Sequence, residues 1–120
     1  MSAPREPTET LPLSPRDFLI LLVLARGARH GYGIIKDAER HAGGEVTLDP
    51  ANLYRALRRL DRDGLVTETE LDDDSDGAPR RHYALTEPGR RVVTAEAARL
   101  ARLTDRAREW RLIPEPGAGS

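Results

Sequence analysis

The sequence of 120 residues contains no cysteine. This absence excludes disulfide bonds, thiol nucleophiles and cysteine-ligated metal sites, and it fits an intracellular protein. Long apolar runs are also missing, because the longest spans residues 18–25, whereas a membrane-spanning helix needs about 20 apolar residues. The first 12 residues contain no apolar signal-peptide region. We therefore expect a soluble, cytoplasmic protein.

Net charge is almost absent as well, because 19 basic and 20 acidic residues sum to −1. This balance excludes a uniformly basic polyelectrolyte. It does not exclude a nucleic-acid-binding protein, because such a protein needs a basic patch rather than a basic total. The position of the charges along the chain therefore matters more than their sum.

Catalytic and metal-binding patterns are lacking too. The three histidines have no metal-ligand spacing, and no serine lies in a recognisable catalytic motif. Residues 72–77 resemble the start of a calcium-binding loop, but Tyr83 stands where the bidentate glutamate is needed. We expect no enzyme, no metal site and no cofactor.

Capping residues and glycines mark four helices. Ser14-Pro15, Asp49-Pro50 and Thr86 each place a capping side chain before a helical segment, and Pro15 and Pro50 suit the first helical position. We expect His30 to help start the second helix. These signals predict helices over about 15–26, 32–41, 50–63 and 87–111. Alternating residues predict strands over 65–71 and 80–86, joined by a polar loop, and a short extended piece over 46–48.

This order of elements predicts a mainly α fold with a small β-hairpin, namely a winged helix-turn-helix domain followed by one long helix. We expect the winged-helix domain to span residues 13–86 and the C-terminal helix residues 87–112. The segments 1–12 and 113–120 are rich in proline and in polar or small residues, so we expect them to be a disordered arm and a disordered tail.

The third predicted helix carries the strongest functional signal. Its apolar stripe of Leu53, Leu57 and Leu60 leaves a cationic opposite face. Arginine and asparagine recognise phosphates and base edges, and a helix fits the major groove. The predicted DNA-binding residues on this helix are Asn52, Tyr54, Arg55, Arg58, Arg59 and Arg62. We expect Asn52 and Arg55 to read bases, and Arg58, Arg59 and Arg62 to contact the backbone.

The predicted wing adds to this cationic face, and two alternative interpretations of the face remain open. Arg80, Arg81 and His82 would add a second cationic group on the wing. The alternative is an ordinary solvated surface, in which Arg58 pairs with Asp61 and Arg59 pairs with Asp63. A winged helix that binds another protein instead of DNA is the second alternative.

The last helix carries apolar residues close to heptad spacing. They predict a homodimer interface, which the first helix could complete, although the helix could instead pack on its own domain. The predicted interface residues are Phe18, Leu22, Val93, Ala97, Leu100, Leu103, Ala107 and Trp110.

Four motifs together resemble the PadR family of bacterial transcription regulators. They are His30-Gly31-Tyr32-Gly33-Ile34-Ile35, Asn52-Leu53-Tyr54-Arg55-Ala56-Leu57, Asp63-Gly64-Leu65-Val66 and Arg80-Arg81-His82-Tyr83-Ala84-Leu85-Thr86-Glu87-Pro88-Gly89. The resemblance implies a homodimeric winged-helix DNA-binding protein, usually a repressor, that a small-molecule effector can release from DNA. It also implies that Asn52, Tyr54, Arg80 and Arg81 meet DNA. Asn52 and Arg55 depart from the family's common residues, so the operator sequence does not transfer.

Overall fold

The computed structural model describes residues 11–43, 47–71 and 80–114. The chain forms a mainly helical fold with a small antiparallel sheet, as the winged-helix prediction requires. The elements are α1 Pro15–Leu24, β1 Arg29–His30, α2 Gly31–Ala42, α3 Pro50–Arg62, β2 Val66–Leu71, β3 Arg80–Leu85 and α4 Glu87–Glu109. The hairpin loop, Val46, and most of the expected arm and tail lie outside the described residues. Leu11, which the sequence places in the arm, packs against the core.

Side chains cap all four helices at their predicted starts. Ser14 Oγ accepts from the N–H of Asp17 at 3.1 Å, and His30 Nδ1 accepts from the N–H of Gly33 at 3.0 Å. Asp49 and Thr86 cap α3 and α4 in the same way. Each bond satisfies an N–H that has no partner within its helix. The predicted helix starts are therefore confirmed.

The sheet has the strand order β1-β3-β2. The predicted short extended piece is misplaced, because Thr47 and Leu48 belong to no strand. The short strand lies instead at Arg29–His30, where its residues pair with Tyr83 and His82. The free edge of β3 decides where this strand forms, and local sequence preference carries no information about that edge.

The core collects buried apolar side chains from all four helices and from β2 and β3. Leu65 and Val66 are both buried at the start of β2 while Thr67 is exposed, so the predicted strict alternation is wrong there. The largest fully buried apolar side chains are Ile20, Leu21, Leu24, Ile34, Leu53, Leu57, Leu60, Val66 and Val92.

Within the described residues no helix is long and apolar enough to cross a membrane.

A tight junction joins the root of the hairpin to the start of α4. The N–H of Thr86 donates to the carbonyl of Leu65 at 3.0 Å, and Thr86 Oγ1 donates to the carbonyl of Gly64 at 2.6 Å. Gly89 lies so close to the Leu65 carbonyl that a Cβ at this position would overlap it. The junction thus fixes the first turn of α4 against the base of the wing.

Candidate nucleic-acid interface

The N-terminus of α3 is closed by a capping box between Asp49 and Asn52. Asp49 Oδ1 accepts from the N–H of Asn52 at 2.8 Å, and the N–H of Asp49 donates to Asn52 Oδ1 at 3.1 Å. The amide of Asn52 also donates to Asp49 Oδ2 at 3.1 Å. This structural role was not predicted. Asn52 remains half-buried at the start of the helix, and its predicted base contact would require its amide to leave the box.

The outer face of α3 is strongly cationic. Arg55, Arg58 and Arg62 are exposed, and none of them has a carboxylate partner within the part of the chain that the structure describes. The alternative pairing of Arg58 with Asp61 is therefore wrong. Three uncompensated guanidinium groups on one helix produce a positive potential that attracts phosphates.

The fourth arginine of α3, Arg59, is paired across the domain with Asp17 of α1. Arg59 Nη2 lies 2.9 Å from Asp17 Oδ1, and Nη1 lies 3.2 Å from Oδ2. The alternative pairing of Arg59 with Asp63 is therefore wrong. Burial raises the pKa of Asp17 above its ordinary value, because it outweighs the attraction of Arg59 and Arg16.

Tyr54 projects from the flank of α3 that faces the hairpin. Its side chain is partly exposed, and its ring centroid lies 6.4 Å from that of the buried Tyr83. The hydroxyl end of Tyr54 rests against the bare Cα of Gly31, where a Cβ would overlap it. Sequence reasoning missed this role of Gly31, whose only signal was its place in the His30-Gly31-Tyr32-Gly33 motif.

The wing contributes fewer free charges than the sequence suggested. Arg81 is exposed, and its Nε lies 3.5 Å from Oε1 of Glu68 on β2. His82 is half-buried, with its ring 5.5 Å from that of His30. Arg80 begins β3, but its side chain lies outside the described residues. Arg81 is therefore the described wing residue that is best placed to reach DNA.

Two clefts flank α3. The cleft on the α1 side has a volume of about 300 Å³ and is lined by Arg16, Asn52, Arg55, Ala56 and Arg59. The cleft on the wing side has a volume of about 510 Å³ and is lined by Tyr54, Leu57, Arg58, Asp61, Glu68, Arg81 and Tyr83. The exposed face of α3 between them is the surface that could enter a major groove.

A sequence model of the PadR-like family of transcriptional regulators matches residues 20–95. This match covers most of the winged helix and the first turns of α4. The chain belongs to the PadR-like family. PadR-like proteins are DNA-binding transcriptional regulators and not enzymes. The expectations of a winged-helix DNA-binding regulator and of no enzyme activity are therefore confirmed.

The chain is also similar to individual proteins and solved structures. Over 91 residues the chain is 37% identical to an uncharacterized 37.1 kDa protein in a transposon of Streptomyces fradiae, covering 76% of this chain and 24% of that protein. The chain thus spans about a quarter of that relative's length. A PadR family transcriptional regulator from Eggerthella lenta superposes with a TM-score of 0.61 at 28% identity, covering 79% of this chain and 82% of that one. A PadR-like regulator from Bacillus cereus superposes at 0.71 and 19% identity, with coverages of 83% and 93%, and shows the fold alone.

The predicted interface residues of this PadR-like chain divide into two groups. Val93 is only 5% exposed and belongs to the core of its own domain, so it offers little surface to a second copy. The more exposed members are Leu22, Ala97, Leu103 and Trp110, and the partly buried members are Phe18, Leu100 and Ala107.

Proposed function

We propose that this PadR-like protein is a cytoplasmic, sequence-specific transcriptional repressor. In this proposal it binds an inverted-repeat operator as a homodimer, and a small molecule releases it. The observation that carries the proposal is the outer face of α3, which presents Arg55, Arg58 and Arg62 without carboxylate partners in the described chain. Groups that remain unpaired within the protein are available to phosphates and base edges.

The position of each arginine along α3 suggests its role. Residues near the N-terminus of a recognition helix usually reach base edges, and later residues meet the backbone. Arg55 lies in the second turn of α3, whereas Arg58 and Arg62 lie further along. We assign Arg55 to base reading and Arg58 and Arg62 to phosphates, with Tyr54 and Arg81 flanking them on the wing side. Asn52 is a second base-reading candidate, once its amide leaves the capping box.

The dimer is supported by the continuation of one face of α4. Val92, Val93 and Glu96 are buried in the domain. Beyond them the same helical face carries Leu103 and Trp110, which are 57% and 68% exposed. An apolar face that extends past its own domain favours burial against a second copy. Two recognition helices related by a dimer axis would lie about 34 Å apart, which matches an inverted repeat.

A cavity between α1 and α4 supports the effector part of the proposal. It has a volume of about 460 Å³, and its lining combines apolar side chains with the Glu96–Arg99 pair. This volume falls within the range of small-molecule sites. Trp110 does not line the cavity, so we assign it to the dimer interface rather than to effector binding.

Selection of bound fragments from the source genome tests the proposal. We expect enrichment of a short inverted repeat, and binding to it should weaken by about 10³–10⁵ between about 50 and 200 mM salt. Arg58→Ala should weaken binding to all duplexes alike and flatten the salt dependence, whereas Arg102→Ala on the exposed far side of α4 should not. No salt-dependent binding by the parent would favour a protein-interaction module instead.

The variant Asn52→Ala tests whether Asn52 recognises the base sequence of the DNA. Loss of the capping box costs about 1 kcal/mol of stability, so affinity alone would confuse the two roles of Asn52. The ratio of affinities for the operator and a scrambled duplex is independent of the folded fraction. We expect this ratio to fall towards one if Asn52 reads a base, whereas an unchanged ratio would confine Asn52 to the helix cap.

A further inference from the structure

We propose that the cleft between α1 and α3 binds a phosphate of the DNA backbone, with Arg16 of α1 and Arg55 of α3 as its ligands. This inference rests on the proposed DNA binding and adds a contact from outside the recognition helix and the wing. In this site Arg55 contacts a phosphate instead of a base, which leaves Asn52 as the base-reading residue of α3.

The charges that line this cleft favour an anion. Three of its five lining residues are arginines, and none is a carboxylate. Arg59 already has Asp17 as its partner. Arg16 and Arg55 are exposed and have no ion pair within the described ranges. Arg16 also attracts the neighbouring carboxylate of Asp17, but that carboxylate is already paired with Arg59. Two guanidinium groups that share a cleft and are in no ion pair form a complementary site for a phosphate, which accepts several charge-assisted hydrogen bonds.

The two helices that form the cleft reinforce this charge. Arg16 is the second residue of α1 and Asn52 is the third residue of α3, so the N-terminal turns of both helices line the same space. Each turn carries the positive end of its helix dipole. The dipoles therefore act in the same direction as the arginines, although the carboxylates of Asp17 and Asp49 lie at the same two helix starts and offset part of this effect.

The cleft on the wing side provides an internal comparison. Its two arginines, Arg58 and Arg81, share the lining with two carboxylates, Asp61 and Glu68. Arg81 lies 3.5 Å from Glu68. The lining charges therefore cancel, whereas those on the α1 side sum to +3, and to +1 when Asp17, which pairs with Arg59, and Asp49, which is bonded to Asn52, are also counted. A phosphate beside α3 is accordingly better stabilised on the α1 side.

Four variants of the full chain test the site with a fluorescent duplex of random sequence, about 30 base pairs long. Anisotropy titrations from about 50 to 200 mM KCl give the slope of log affinity against log salt. Removal of one phosphate contact should reduce this slope by about 0.9 per bound protomer. Raising the salt over this range should therefore weaken the binding of Arg16→Ala by a factor that is about 3.5 times smaller than the factor for the parent. Arg16→Lys should restore most of the slope.

Arg102→Ala serves as the matched control, because it removes one exposed arginine of α4 that does not line the cleft. Equal slopes for Arg16→Ala and Arg102→Ala, while Arg58→Ala is flatter, would overturn the cleft site but leave the proposed function intact. A parent with no salt-dependent DNA binding would overturn the proposed function itself. Circular dichroism of each variant separates loss of a contact from loss of fold.

Discussion

The backbone N–H of Leu13 donates a hydrogen bond to Oε2 of Glu96 at 2.9 Å, although the two residues are 83 positions apart. Glu96 is only 1% exposed, and Arg99 Nη2 donates to the same oxygen at 2.9 Å. The hydrogen bonds from Arg99 and then from Leu13 lower the pKa of Glu96, against the opposing effect of burial. This carboxylate thus ties the segment before α1 to the middle of α4.

Replacement of Glu96 by glutamine should destabilise the fold by about 2 kcal/mol, because a buried, charge-assisted network loses its charge. Urea unfolding at pH 7 measures the change. Glu109→Gln is the matched control, since Glu109 pairs with Arg106 at the same spacing on α4 but both side chains are exposed. We expect that control to stay within about 0.5 kcal/mol of the parent. Equal effects of the two substitutions would show that Glu96 contributes no more than a surface pair.

The pH dependence of the Glu96 contribution follows from the direction of its pKa shift. The folded state lowers the pKa of Glu96 below its ordinary value of 4.5. The stabilisation is therefore present above that value and is lost as the pH falls through the folded-state pKa. Arg99 and His41 line the same cavity, so the parent and Glu96→Gln are compared at each pH. The difference in their unfolding free energies should shrink below about pH 4.5, whereas a constant difference would contradict this mechanism.

Gly89→Ala and Gly33→Ala should have opposite effects on stability. Each glycine is the third residue of its helix, and its N–H donates to the capping side chain. A Cβ on Gly89 would overlap the Leu65 carbonyl, whereas the nearest contact of a Cβ on Gly33 is 3.5 Å. We expect Gly89→Ala to cost about 3 kcal/mol and Gly33→Ala to stabilise by about 0.5 kcal/mol. Thermal unfolding measures both, and a neutral Gly89→Ala would show that the junction can relax.

Leu103→Asp should dissociate the proposed dimer. Leu103 is 57% exposed on the apolar face of α4, and a carboxylate there would be buried without a partner in the interface. Ala98→Asp places the same charge on an exposed position across the helix and should leave the dimer intact. Sedimentation velocity over a range of concentrations distinguishes the two states. A parent that is monomeric at all concentrations would refute the dimer.

Asp17→Asn should strengthen non-specific DNA binding. The substitution removes the carboxylate that pairs with Arg59, so this guanidinium becomes available to a phosphate. The salt slope should steepen by up to about 0.9 per bound protomer. Asp63→Asn removes an equal charge from the exposed C-cap of α3 and controls for the long-range field. If both variants behaved alike, Arg59 would have no role in phosphate binding beyond its charge.

Local signals predicted the parts of the fold that depend on neighbouring residues. The caps at Ser14, His30, Asp49 and Thr86 and the apolar stripe of α3 are determined within one or two turns. The family match likewise follows from motifs along the chain. Both the winged helix and the cationic outer face of α3 could therefore be predicted from the sequence.

Contacts between distant segments could not be predicted in this way. Asp17 and Arg59 are 42 positions apart, and no periodic pattern links a first-turn acid of α1 to the third turn of α3. The short strand β1 depends on the edge of β3, and Val93 is buried because the first turns of α4 pack into the core of the domain. Arg16 was missed because its position beside Arg55 depends on how α1 packs against α3.

The junction of Thr86 and Gly89 with Gly64 and Leu65 couples the orientation of α4 to that of the wing. A helix of 23 residues is about 35 Å long, so a rotation of about 5° at the junction displaces its far end by about 3 Å. Since the first turn of α4 is bonded to the base of the hairpin, such a rotation also turns the strands that carry Arg81. In the proposed dimer, a small change in how two copies of α4 meet would therefore alter the spacing and the tilt of two wings at once.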